Sequence, residues 1–255
     1  MDKKRLRELA KNPNHIPGIY NYCDRWCERC PFTDRCLSYA MERDDSESSE
    51  INVLDNVAFW QKIHESFQLT LEMVKEDAEK FGIDLDSLDD EEAINREKET
   101  DRIAEEHPLA TESMEYASSA MSYLDSLKVH INKEAKLKLK ENARESGMIE
   151  YTDAFEVISW YMSQIHVKLV RALRGKLTED QEDPDEFPGD SEGSAKVALI
   201  GIDRSMGAWG VLMKKLSADR DTIANFLIQL EQLKRKTEQE FPGARKFRRP
   251  GFDDL

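Results

Sequence analysis

Long apolar runs are missing from this sequence. No stretch approaches the roughly 18 consecutive apolar residues of a membrane-spanning helix. The start, Met1-Asp2-Lys3-Lys4-Arg5-Leu6-Arg7, lacks the apolar core of a secretion signal. A cytoplasmic location without membrane association is the expectation. Strand signals are nearly absent too, with no period-2 run and no internal repeat, so sheet architectures are set aside. Recognisable catalytic signatures are also missing: no Ser/His/Asp motif, no phosphate loop and no H-E-x-x-H. The Glu-x-x-His pairs of a di-iron bundle are not present either. Basic charge is in short supply, with 37 Lys and Arg against 52 Asp and Glu and a net charge of −15. A surface of that sign repels phosphate backbones and argues against general nucleic-acid binding.

Cysteine is absent everywhere except in one run of fourteen residues, Cys23-Asp-Arg-Trp-Cys27-Glu-Arg-Cys30-Pro-Phe-Thr-Asp-Arg-Cys36. A chain of 255 residues buries a sufficient core without covalent staples, and cytoplasmic thiols stay reduced. Four soft ligands so closely crowded therefore point to a metal or iron–sulfur centre held by Cys23, Cys27, Cys30 and Cys36. Residues 1–40 carry eight Lys or Arg and five Asp or Glu, a net charge of +3, so the remaining 215 carry −18. Arg25, Arg29 and Arg35, interleaved with the cysteines, would lower thiol pKa values and offset tetrathiolate charge; ordinary surface arginines are the alternative.

On a regular helix over 22–30, Cys23, Cys27 and Cys30 would share a face but spread over about 10 Å of axis. Zinc bonds sulfur at about 2.3 Å, so a straight helix cannot bring them to one ion. Either the backbone unwinds around zinc, or the centre is a larger cluster; Pro31 already disfavours helical geometry at Cys30. An iron–sulfur cluster of the four-iron, four-sulfide type leads, and one zinc ion is the alternative. Tyr20, Tyr22, Trp26 and Phe32 could supply an apolar shell for a cluster or pack the segment onto the rest of the chain.

The C-x3-C-x2-C triplet resembles the cluster-binding triplet of radical S-adenosylmethionine enzymes, over Cys23, Cys27 and Cys30 only. Those enzymes are built on a βα barrel, for which this chain offers no strands. Cys30-Pro31 resembles the end of the bacterial ferredoxin run, and Trp26-Cys27-Glu28-Arg29-Cys30 the thioredoxin W-C-x-x-C, without the spacing or βαβ context of either.

Helical periodicity governs the rest of the chain. A short helix over 3–11 leads into an irregular segment. A long one from about Ile51 carries Val53, Val57, Trp60, His64, Phe67, Leu71, Val74, Ala78 and Phe81 as an inner stripe and stops at Gly82. Residues 83–107 read as loop plus a loosely packed helix. Further helices are expected over 111–146, ended by Gly147, and over 152–173, capped by Thr152 and ended before Gly175. Others follow over 194–216 and 219–240. Their inner stripes are Ala117, Ala120, Leu124, Leu127 and Ile131; then Phe155, Ile158, Met162, Ile165 and Leu169. Ala198, Ile202, Met206, Trp209 and Met213 follow, and finally Ile223, Phe226, Leu230 and Leu233. Gly201, Ser205 and Ala208 would let a neighbouring helix approach closely.

The reading is an all-α chain, an antiparallel bundle of four to five helices with an irregular N-terminal four-cysteine metal-binding module. Its parts are 1–45, helix and cysteine module; 46–177, three helices with acidic connections; 178–194, an acidic flexible linker; 195–241, the remaining helices; and 242–255, a basic aromatic tail. That tail is expected to dock on the acidic helices, with a partner protein or an anionic ligand as the alternative. His64 and His166, on or beside inner stripes, are weak catalytic candidates whose plainer role is that of satisfied core histidines. The functional expectation is electron transfer or redox sensing; alternatives are a zinc-stapled interaction module and, behind it, a bundle enzyme using the histidines.

Overall fold

The structure, a computed structural model, describes residues 3–46, 57–85, 91–138, 146–178 and 189–253. Val53, the side chain of Ile131 and the middle of the expected linker, 179–188, lie outside that description. Among the described residues the chain is all-helical, with no strand. The helices are α1 (Lys3–Ala10), α2 (Leu37–Ser46), α3 (Val57–Phe81), α4 (Glu91–Glu106), α5 (Pro108–Lys138), α6 (Ser146–Thr178), α7 (Asp190–Lys215) and α8 (Arg220–Glu240). No described helix is long and apolar enough to cross a membrane.

Several boundaries differ from the periodicity. α5 starts at Pro108, whose fixed φ and missing N–H suit the first helical position; the preceding His107 accepts the Leu109 N–H on Nδ1 at 3.2 Å. Gly147 and Gly175, read as terminators, lie inside α6, as does Thr152. Gly175 is where the Ser191 backbone approaches, 3.4 Å from the position a Cβ would take. α7 begins within the segment expected as linker, and α2 was not expected at all. Gly82 does end α3, at φ +70°.

The chain divides into two compact units, residues 1–97 with 249–255, and residues 98–248. In the second, α5 packs on α6 and α8, and α7 on α6 and α8. Tyr116 on α5, Trp209 on α7 and Phe226 on α8 form its aromatic centre. The Trp209 and Phe226 rings stack at 4.5 Å, Tyr116 meets Phe226 edge-on at 6.3 Å, and the Trp209 indole N–H donates to the Tyr116 hydroxyl at 3.0 Å. The α6–α7 contact runs along small residues of α7. A Cβ on Gly201 would stand 3.0 Å from Tyr161 and 3.1 Å from Ile165. The buried stripe of α6 is Ala154, Ile158, Tyr161, Ile165, Leu169 and Ala172; Phe155 and Met162, expected inside, are only half-buried.

The first unit is built differently. Its buried apolar side chains, among the described residues, are Ile19, Tyr22 and Ala78. Of the described residues in the expected inner stripe of α3, only Ala78 is inside: Val57 and Phe67 are each 71% exposed, and Trp60, Leu71, Val74 and Phe81 are exposed with them. Helical period says that a stripe exists, not that anything covers it.

Candidate metal centre

The route into the cysteines is set by turn chemistry. After α1, the Asn12 side chain accepts the Asn14 N–H at 3.0 Å, an Asx turn. Gly18 takes φ +71°, which a glycine adopts without strain. The Ile16 N–H donates to the Arg35 carbonyl at 2.9 Å, tying this segment back to the far end of the cysteine run.

Residues 22–30 do not form the regular helix that would strand their sulfurs on a line. Asp24 accepts the Trp26 N–H at 3.2 Å, and Arg25 stands in the left-handed region at φ 55°. A non-glycine residue held there, between two cysteines, marks a backbone whose course the surroundings impose. Single 3-10 turns follow at Cys27–Arg29 and Thr33–Arg35. Each hands over to an extended cysteine: Cys30 (φ −86°, ψ 126°) donates its N–H to the Cys27 carbonyl, and Cys36 (φ −111°, ψ 117°) to that of Thr33. Cys30 and Cys36 thus occupy equivalent positions after two equivalent turns. The Phe32 N–H points at the Cys30 sulfur, 3.4 Å away, the kind of hydrogen bond that stabilises a thiolate and tunes a cluster.

This folding gathers Cys23, Cys27, Cys30 and Cys36 around one cavity of about 20 Å³. All four are half-buried and none is in a disulfide. Ile19, Tyr20, Trp26, Tyr39 and Phe252 complete an apolar wall, with Asp24, Arg25 and Thr33 at its polar side. Phe32 packs edge-on against Phe252 at 5.0 Å. Of the four aromatics considered for a shell, Tyr20 and Trp26 line the cavity, whereas Tyr22 is buried in the unit and Phe32 stands behind Phe252. Tyr39 and Phe252 were missed. The aromatic tail was legible as something needing a surface, but no local spacing linked it to the cysteines.

Each of the three interleaved arginines has a local partner. Arg29 lies over the Trp26 ring at 4.0 Å, Arg25 donates to Ser38 at 3.1 Å and lies 3.9 Å from Glu42, and Arg35 donates to the Asn14 carbonyl at 3.4 Å. Burial, then the Glu42 carboxylate and the three other thiols, push the Cys27 thiol up to about 11. Cys30 is raised mainly by burial, against the lowering effect of the Phe32 N–H.

No three His, Cys, Asp or Glu side chains among the described residues are drawn closely enough together to hold a metal ion. The cavity that the four cysteines help to line has room for about one water molecule.

The histidines have separate, local roles. His64 is exposed on α3, its Nε2 2.9 Å from the Gln68 amide nitrogen. The Nδ1 of His166 lies 3.1 Å from the Ala110 carbonyl and 3.1 Å from Ser113 Oγ. His166 is a satisfied histidine beside the α5–α6 contact.

The tail is held by the chain itself. Phe241 and Ala244 are buried, Arg245 pairs with Asp203 at 2.6 Å and Glu238 at 2.8 Å, and Glu192 accepts the Gly243 N–H at 3.1 Å. Beyond it, Arg249 forms a two-pronged pair with Asp253, and Gly251, at φ +77°, lies against Ile16 and Ile19. Comparison with protein-family models, with curated proteins and with solved structures finds no match.

Proposed function

We propose that Cys23, Cys27, Cys30 and Cys36 ligate an iron–sulfur cluster of the four-iron type, and that the protein serves electron transfer or redox sensing. The observation that supports this reading is the common cavity: four cysteines from one short run line one small space, with apolar side chains completing its wall. The cluster would supply a one-electron couple. The chain's part is to present four thiolates, direct the Phe32 N–H at Cys30 and limit water with Trp26, Tyr39 and Phe252.

One observation favours a second reading. The first unit buries so few apolar side chains that a metal would act chiefly as its staple. In that case one zinc ion holds an irregular segment together and the helical body recruits a protein partner.

Anaerobic purification with iron, sulfide and zinc analysis and an absorption spectrum separates the two. The cluster reading expects a brown protein with about four irons per chain, and loss of colour in Cys27→Ser and Cys36→Ser alike. Colourless protein with stoichiometric zinc transfers the site to the second reading. Protein that takes up neither metal ends both.

A further inference from the structure

The apolar stripe of α3 repeats with a coiled-coil period. Positions 57, 60, 64, 67, 71, 74, 78 and 81 alternate strictly in steps of three and four, the a and d positions of a heptad. Val57, Trp60, Phe67, Leu71, Val74 and Phe81 fall within about 120° of arc at 100° per residue. All six are exposed, from 48% at Val74 to 71% at Val57 and Phe67. Of the stripe, Ala78 is buried within the first unit; on the opposite side Leu69 and Met73 are half-buried and Glu76 pairs with Lys3 and Arg7.

The residues flanking the stripe suit a second copy of the same helix. The e positions are Gln61, Gln68 and Lys75, and the g positions are Ile63, Thr70 and Asp77. In a parallel pair, each g residue meets the partner's e residue five positions on, giving Ile63 with Gln68 and Thr70 with Lys75. No like charges oppose each other. Glu65, Glu72 and Glu79 all fall at b, away from the seam. In a chain of net charge −15, two copies would otherwise repel; of the flanking e and g positions only Asp77 is acidic. Three aromatic and three aliphatic side chains at these exposures present on the order of several hundred Å² per helix, the scale that a standard interface buries on each partner. His64 is the one polar side chain in the seam, and a single polar a position sets register.

We propose that two copies of this chain pair along α3 as a short two-stranded coiled coil. Sedimentation velocity or light scattering on the full chain at micromolar concentration is expected to give twice the 29.5 kDa of one chain. The double variant Phe67→Glu with Leu71→Glu puts charge into the seam and should weaken dimerisation at least about tenfold. Because both side chains are exposed in the single chain, the variant should keep its helical circular-dichroism signal. Glu65→Gln with Glu72→Gln, outside the seam, should leave the dimer intact. A monomeric native chain overturns the proposal and leaves the face to a different partner. So does a dimer that survives the seam variant.

Discussion

Phe252 meets Phe32 edge-to-face at 5.0 Å, and through that contact a residue from the end of the chain becomes part of the wall around four cysteines near its start. Gly251 makes the approach possible: a Cβ there would stand 2.9 Å from Ile16 and 3.0 Å from Ile19. The two-pronged Arg249–Asp253 pair fixes the turn that follows.

Removing this wall should open the cavity. Phe252→Ala is expected to raise the rate at which the metal-free protein reacts with a thiol reagent, and to lower stability by about 0.5–1.5 kcal/mol beyond the lost area. Reagent kinetics with the four thiols check the first effect and urea denaturation the second. An unchanged labelling rate would remove Phe252 from any role in shielding the site.

At Gly201, α7 lies close against α6. With Tyr161 and Ile165 already at 3.0 and 3.1 Å from the Cβ position, Gly201→Val must push the helices apart or force off-rotamer side chains, at a cost of about 1–3 kcal/mol. Gly207, on the same helix, has nothing within 4 Å of its Cβ position, and Gly207→Ala should stabilise slightly through helix propensity. Chemical denaturation of the pair tests the contrast.

Acid should loosen the Asp203 cluster. Burial pushes this carboxyl up, but hydrogen bonds from Arg245 and Lys234 outweigh it and hold it below the usual carboxylate value. A depressed folded-state pKa contributes stability that is present above the unfolded value of 3.8 and is lost as pH falls through the folded one. Asp203→Asn should flatten this part of the stability profile below about pH 4 while leaving the rest of the curve in place. Thermal melts of both proteins across that range provide the measurement.

Much of the second unit was readable from period alone. Ile223, Phe226, Leu230 and Leu233 lie buried at the expected spacing, as do Ala117, Ala120, Leu124 and Leu127. Gly201 marks a close approach, as its place beside the α7 stripe suggested. Pattern failed where glycine had two meanings. Gly175 is an approach point rather than a stop, because residues 3.6 per turn apart can serve a neighbour as well as end a helix. Pro31 correctly signalled a departure from helical geometry at Cys30, but not that two 3-10 turns would present Cys30 and Cys36 alike.

Local order in this chain follows from residue order. Helix period, turn residues and the crowding of four thiols depend on neighbours a few positions apart, so they can be read along the sequence. Which surfaces meet is a different matter. That Phe252 would face the cysteines, that Arg25 and Arg35 would turn to Ser38 and Asn14, and that the α3 stripe would stay exposed except at Ala78 all depend on packing across longer sequence separations. A side chain's exposure belongs to the whole fold, and only the folded chain decides it.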